Sequence, residues 1–222
     1  MAIRPIFIPL STPPYVKAVD IEFEWFAGFA ITQKHKSIQS LHENAIKKGV
    51  CQKPLEASSK SEDAFGTQLS AFNILVSVSG KETTLENLFQ ASKVFEGGGP
   101  YRDLLDVSPR EAKRDQRLKD SGMMISFQGR EEWPLEPKTM YYDWLFLNAI
   151  YRSFDKYESI INYDAFTDIE FNPLKSFSCQ ARSAALFLGL YKAGVLEETL
   201  SSSKSFKELM TPLNDTKQSL LI

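Results

Sequence analysis

The stretch SCQARSAALFLGLYK, residues 178–192, decides the architecture. Wound as a helix, it carries Ala, Leu and Phe on nearly every side, and a helix that is apolar most of the way round is one that other elements surround. Ser178 is placed to cap it. Outward from this central rod, residues 139–152 and 155–161 predict further helices, and 166–173 (FTDIEFNP) an irregular segment. A helix from about Gln33 to Lys48 has an apolar stripe of Ile38, Leu41, Ala45 and Ile46, and Gly49 ends it. Another begins at Thr84 and ends near Gly97, Gly98 and Gly99, closed off by Pro100. A third follows Ser108-Pro109, a good cap followed by a residue suited to the first turn. Strands are predicted at 3–9 (IRPIFIP) and 21–31 (IEFEWFAGFAI), with a buried one at 69–79 (LSAFNILVSVS). The fold class is therefore α+β, a helix-dominated single domain with a small β part. Residues 1–57 form a β-rich N-terminal extension packing on the core at 58–200, and 201–222 a peripheral, Ser-rich tail with a short helix near 205–210.

The bulk properties exclude several classes. At 222 residues, with 43% hydrophobic residues and 16 Phe, the chain buries a sizeable, aromatic-rich core. Its net charge of −2 is not that of a protein that wraps nucleic acid, so any such grip is local. Cys51 and Cys179 are too far apart for a zinc spacing and read as reduced thiols. His35 and His42, on one side of a predicted helix, lack further ligands nearby and read as surface residues, with no metal site. The N-terminus, MAIRPIFIPL, resembles neither a signal nor a transit peptide, and no apolar run spans a bilayer. The expected compartment is the cytoplasm, with no membrane partner and no cofactor.

Four segments could carry chemistry. On a helix, Glu86, Gln90 and Lys93 fall at i, i+4 and i+7 and share one polar stripe. That stripe also reads as a solvated face, and Thr83-x-x-Glu86 also fits a capping box. Arg110, Lys113, Arg114 and Arg117 gather on one helix face that could touch phosphates or be merely solvated. Asp168, in an aromatic stretch, reads as a carboxylate with a shifted pKa or as an Asx-type turn. The helix start at Ser178-Cys179-Gln180-Ala181-Arg182 offers free N–H groups and a guanidinium that would suit a diphosphate, although many helices start so without a ligand.

Together these segments resemble the NADAR family (the YbiA-like proteins). That family carries a phenylalanine-serine-asparagine-phenylalanine element, here Leu69-Ser70-Ala71-Phe72. Its Glu-x-x-Phe-Gln-x-x-Lys helix is present in full from Glu86 to Lys93, its Ser-Pro-x-x-Ala-Lys-Arg helix from Ser108 to Arg114, and its late aspartate as Asp168. Ala71 in place of asparagine, Phe171-Asn172-Pro173 in place of a tryptophan-glycine stretch, and the extra N-terminal sixty residues resemble the DarT-associated NADAR antitoxins. So do the runs Ser58-Ser59-Lys60-Ser61 and Leu69 to Asn73.

The resemblance implies an N-glycosidase that removes ADP-ribose from guanine in DNA, undoing the modification made by a DarT-type toxin. It implies Lys93, Asp168 and Glu86 as catalytic residues. Lys93 would form an imine with the opened ribose, Asp168 would handle protons, and Glu86 would orient the ribose hydroxyls or water. ADP-ribose would be bound by Ser70, Phe72, Gln90, Gly98, Gly99, Trp133, Tyr142, Gln180 and Arg182, and DNA by Lys60, Arg110, Lys113 and Arg114. The alternatives are an N-glycosidase of aminopyrimidine ribosyl phosphates from flavin synthesis, and a non-catalytic reader of ADP-ribose.

Overall fold

The computed structural model describes residues 1–172 and 179–218, with side chains as far as Thr211. Pro173 and Ser178 lie outside the described residues. β1 (Ala2–Pro9) and β2 (Val16–Phe23) form an antiparallel ribbon in unbroken register, from Ala2 opposite Phe23 to Pro9 opposite Val16. The second strand thus starts before the predicted 21–31 stretch and stops early in it. Beyond Phe23 the backbone finds other partners: the Glu24 and Phe26 N–H groups donate to Ser40 and Ser37 Oγ at 3.1 and 3.0 Å. Both serines belong to α1 (Ile31–Lys47), so these amides are satisfied by a helix and need no strand. α1 buries Ile38, Leu41 and Ala45, while Ile46, counted in its apolar stripe, is exposed.

β3 (Pro54–Glu56) and α2 (Ala64–Gln68) follow. The run 69–79 is not one buried strand. Ser70 O accepts from Asn73 N and Ile74 N at 2.8 and 2.9 Å, which turns the chain. Only β4 (Leu75–Val78) is extended, and it makes a half-exposed hairpin with β5 (Lys81–Thr84). The connecting Ser79 and Gly80 have φ of 52° and 82°, the left-handed pair that a two-residue hairpin needs.

α3 (Leu85–Ala91) then gives way to β6 (Lys93–Phe95). A 3-10 turn at Arg102–Asp106 leads to α4 (Pro109–Arg114), where Ser108 and Glu111 form a reciprocal capping box. α5 (Arg117–Asp120), β7 (Met124–Gln128) and β8 (Glu132–Trp133) follow; β6, β7 and β8 make an antiparallel three-stranded sheet. After α6 (Met140–Arg152) and α7 (Phe154–Tyr157), a 3-10 turn leads into β9 (Ala165–Thr167). The first part of the stretch read as irregular is therefore a strand. α8 (Gln180–Lys192), α9 (Leu196–Leu200) and α10 (Ser203–Gln218) complete the chain.

The architecture is mixed α+β and helix-dominated. The principal sheet has the order β2-β1-β9-β3, with β9 antiparallel to β1 and parallel to β3. α8 crosses this sheet, and all residues from Ala181 to Leu190 are buried. Gly189 makes the close approach possible: a Cβ there would lie 2.0 Å from the Tyr15 carbonyl oxygen in the β1–β2 turn. The first strands are thus seated directly on the central helix and share a sheet with β9. The end of the chain is less peripheral than its composition predicts, because Phe206 is fully buried against Trp133 and Trp144. Among the described residues no helix is long and apolar enough to cross a membrane.

Candidate active site

Glu86 stands in the first turn of α3. The helix is capped by Thr84, whose side chain accepts from Asn87 N, so the Thr83–Glu86 capping box does not form. This frees the Glu86 carboxylate, which is 5% exposed, for other partners. Gln90 Nε2 donates to Glu86 Oε1 at 2.8 Å, and Lys113 Nζ lies 3.8 Å from the same oxygen. Gln90 Oε1 is buried with no hydrogen-bond partner among the described residues, a state that a ligand donor would relieve.

Lys93 does not continue the helical stripe. Ser92 ends α3: its Oγ donates to Leu88 O at 2.6 Å and accepts from Tyr141 OH at 2.9 Å, and its carbonyl accepts from Gln128 N at 2.7 Å. Lys93 is therefore the first residue of β6, opposite Phe127, with its ammonium 4.9 Å from the centre of the Phe89 ring. Burial pushes its amine down to about 8; the Glu86 carboxylate opposes the shift and the Lys113 cation adds to it.

Lys113 reaches this site because α3 and α4 pack closely. Ala91 and Ala112, both fully buried, share a small cluster with Leu104. Asn87, 1% exposed, fixes the approach to α4 by donating to Leu104 O at 2.6 Å and Val107 O at 2.9 Å. Lys113 also lies over the Phe72 ring at 5.1 Å. Of the predicted basic face, Arg110 and Arg114 are exposed, but α4 stops at Arg114 and Arg117 is held by Asp103 and Asp115 at 2.6 and 2.9 Å.

Asp168 enters from β9, through a turn in which its Oδ1 accepts from Glu170 N at 3.0 Å and its carbonyl from Phe171 N at 3.1 Å. The Asx-type turn and the shifted carboxyl are thus both present. Burial first, then the Glu56 carboxylate, push Asp168 up to about 8, with Lys113 pulling the other way. Tyr142 on α6, raised well above its usual value by burial, lies within electrostatic reach of both Glu86 and Asp168. The fold therefore gathers Glu86, Lys93 and Asp168, from three separate elements, around Lys113 and Tyr142.

The segment 70–72 is tied to the same place. Ala71 O accepts from Glu86 N at 2.9 Å, and Ala71 N donates to Gln180 Oε1 at 2.8 Å. Ser70 is buried and its Oγ accepts from Phe72 N at 3.4 Å. Gln180 thus joins the start of α8 to the Glu86 turn. Gly99, at φ 91°, brings its backbone so close that a Cβ would lie 2.5 Å from Lys93 O, and one at Gly98 would lie 2.5 Å from Tyr101 OH. The glycines fold the loop back onto β6, a packing reason for them that the sequence does not give.

Other expected residues stand elsewhere. Trp133 is a core residue, 2% exposed, packed on Tyr141 and Trp144, so its ring faces are occupied. The Arg182 guanidinium is held by the Asp143 carboxylate, whose second oxygen accepts from Ser183 Oγ at 2.6 Å. A buried cation needs such a partner, and here it is a carboxylate, not a phosphate. Lys60 is half-buried in the loop after β3, where its N–H donates to Ser58 Oγ at 3.1 Å. Of the two histidines read as surface residues, His35 is half-exposed, its Nδ1 3.3 Å from the exposed Glu62, whereas His42 turns inward, its Nε2 2.8 Å from Thr167 Oγ1. Burial lowers His42 to about 4.

Sequence reasoning missed Glu56, Asn87 and the hub position of Lys113. Glu56 sits in a three-residue strand with no periodicity, and Asn87 reads as an ordinary helix polar residue. Two surface clefts, one lined by Thr83, Asn87 and Pro109 and the other by Gln68, Asn73 and Tyr157, contain none of Glu86, Lys93 and Asp168. Among the described residues no group of three or more His, Cys, Asp or Glu could hold a metal ion. A family model described as DarT1-associated NADAR antitoxin matches residues 2–220. No curated protein matches the chain.

Proposed function

We propose, from the premise that the chain belongs to the family of DarT1-associated NADAR antitoxins, that it is an N-glycosidase which removes ADP-ribose from guanine in DNA and so acts as the antitoxin of a DarT-type ADP-ribosyltransferase. The observation that carries this reading is the convergence of an amine, Lys93, and two carboxyls, Glu86 and Asp168, on Lys113 and Tyr142, where burial pushes the amine down to about 8 and the Asp168 carboxyl up to about 8. At neutral pH a fraction of Lys93 is free amine while most of Asp168 still holds its proton. A nucleophile and an acid are what cleavage of a C–N glycosidic bond to a poor leaving base requires.

In the imine route the distal ribose opens first. The anomeric C–O bond to the ring oxygen breaks as that oxygen takes the Asp168 proton, and the anomeric carbon becomes an iminium with the guanine nitrogen. The Lys93 amine adds to this carbon and gives its surplus proton to Asp168. Asp168 protonates the guanine nitrogen, which leaves with the C–N electron pair, and the sugar stays as an imine on Lys93. Water then adds, the C–N bond to Lys93 breaks, and the freed aldehyde recloses as ADP-ribose. In the direct route Asp168 protonates the guanine nitrogen, which leaves with the C–N electron pair, while water bonds to the anomeric carbon and returns a proton to Asp168. Glu86 orients the ribose hydroxyls or the water, held for this by Gln90 and Lys113. Phe72 and Tyr142 bound the site, Ser70, Gly98, Gly99 and Gln180 shape it, and the exposed Arg110 and Arg114 with Lys60 meet the DNA backbone.

The test is incubation with guanine-ADP-ribosylated DNA, mass analysis of the product, and borohydride trapping. Release of ADP-ribose with a trapped adduct that Lys93→Ala abolishes supports the imine route. Release without an adduct, with Lys93→Ala near normal, assigns the direct route. Binding of ADP-ribose with no release would make the protein a reader and overturn the enzymatic reading.

A further inference from the structure

β3 and β9 run parallel, with Glu56 opposite Thr167, and this register lets one side chain grip the turn that carries Asp168. Glu56 is 2% exposed. Its Oε1 accepts from Ile169 N at 2.8 Å and from Ser58 Oγ at 2.5 Å, and its Oε2 accepts from Thr167 Oγ1 at 2.7 Å. Thr167 and Ile169 are the chain neighbours of Asp168, so the carboxylate holds the side chain before it and the backbone amide after it. The hydroxyl proton of Thr167 goes to Glu56, so Thr167 Oγ1 must accept from His42 Nε2, 2.8 Å away. That direction puts a proton on Nε2, burial, which lowers His42 to about 4, keeps the ring neutral, and the chain runs from α1 through Thr167 to Glu56.

Resting on the glycosidase reading, we propose that Glu56 is a positioning residue for Asp168: it clamps Thr167 and Ile169, is itself oriented by the Thr167–His42 chain, and so presents the Asp168 carboxyl as the proton donor to the leaving base. The two carboxyls are too close to ionise independently. Burial pushes Glu56 up as well, but three donors there favour its charged form, whereas Asp168 accepts one backbone N–H, from Glu170. The proton therefore stays on Asp168. The other groups facing the pair are Glu170 in the same turn, Lys113 from α4, Tyr142 from α6 and Cys179 at the start of α8. Glu170 is in turn paired with Lys34 of α1 at 3.0 Å. In the step itself the Asp168 proton goes to the guanine nitrogen as that nitrogen takes the C–N electron pair. The incoming nucleophile bonds to the anomeric carbon and its proton returns to Asp168.

The experiment measures kcat and KM against pH on ADP-ribosylated DNA for the wild type, Glu56→Gln, Thr167→Val and Thr167→Ser, with the Asp168 side-chain carboxyl carbon followed by NMR in the same proteins. Glu56→Gln is expected to lower kcat about 10- to 100-fold with KM nearly unchanged. It should move both the alkaline limb and the Asp168 titration to lower pH, because the neighbouring negative charge is gone. Thr167→Val, which removes a donor to Glu56 without changing the charge count, should move both in the same direction, and Thr167→Ser should restore them. The Thr167 pair carries the test if Glu56→Gln does not fold. An active wild type whose Asp168 titration and alkaline limb stay in place in the folded variants would overturn the proposal. A wild type that releases no ADP-ribose, with an Asp168 titration that still moves, would leave the clamp standing and overturn the glycosidase reading.

Discussion

Lys113 Nζ stands 3.8 Å from Glu86 Oε1, pairing an exposed lysine with a carboxylate whose side chain is only 7% exposed. In the proposed imine route the pair places a cation near the Lys93 amine, which must lose its proton. Lys113→Met should therefore raise the pH at which Lys93 becomes active and lower kcat/KM at neutral pH, within about tenfold for each unit that the limb moves. Arg110→Ala and Arg114→Ala, on the exposed part of α4, should leave that limb in place. Each should instead weaken DNA binding and reduce its salt slope by about 1. Rate profiles against pH and binding isotherms against salt separate the two roles.

The activity should follow a bell against pH. The free-amine fraction of Lys93 rises through about 8, and the protonated fraction of Asp168 falls through about 8. Their product peaks near pH 8 and declines about tenfold per unit far on either side. Lys93→Arg, which stays charged, should abolish the trapped adduct over the whole range. A profile flat from about pH 6 to 10 would remove both groups from the chemistry.

Stability against pH should show two opposed slopes. His42 has a folded pKa near 4 against 6.5 unfolded, so the unfolded chain binds more protons between these values. Stability is then lost as pH falls from 6.5 to 4, by up to roughly 3 kcal/mol. Asp168 has a folded pKa near 8 against 3.8, so the folded chain binds more protons and stability is lost as pH rises toward 8. Urea unfolding of Asp168→Asn should show the His42 slope unopposed, and His42→Gln the Asp168 slope. Equal pH dependence in wild type and both variants would contradict this.

Arg182 and Asp143 make a structural prediction. Asp143→Ala leaves the Arg182 guanidinium buried without its partner and should cost about 3–5 kcal/mol of unfolding free energy. The double variant Asp143→Leu, Arg182→Met should recover much of that loss. ADP-ribose affinity in the folded double variant then decides whether Arg182 also serves the diphosphate: an unchanged value makes it purely a link between α6 and α8.

The sequence by itself determined the elements whose signal is local. The apolar girth of residues 180–190 marks the central helix, and Ser108-Pro109 marks the start of α4. The stripe of Ile38, Leu41 and Ala45 marks α1. It also supplied the ordered motifs that identify the family. Tertiary structure decided the rest, because the deciding contacts join residues far apart in the chain. Ser37 and Ser40 of α1 end β2 by taking its next amides, and Tyr141 and Gln128 end α3 at Ser92 by taking its hydroxyl and carbonyl. Lys93 thereby passes from a helix stripe to a strand. Arg182, the apparent phosphate ligand, is neutralised by Asp143 from another helix. Glu56, in a strand too short to show a period, becomes the partner of Asp168 only when β3 and β9 lie side by side. Hydrophobic period and caps are properties of neighbours along the chain; a buried charge, and the proton it holds, depends on what folding brings against it.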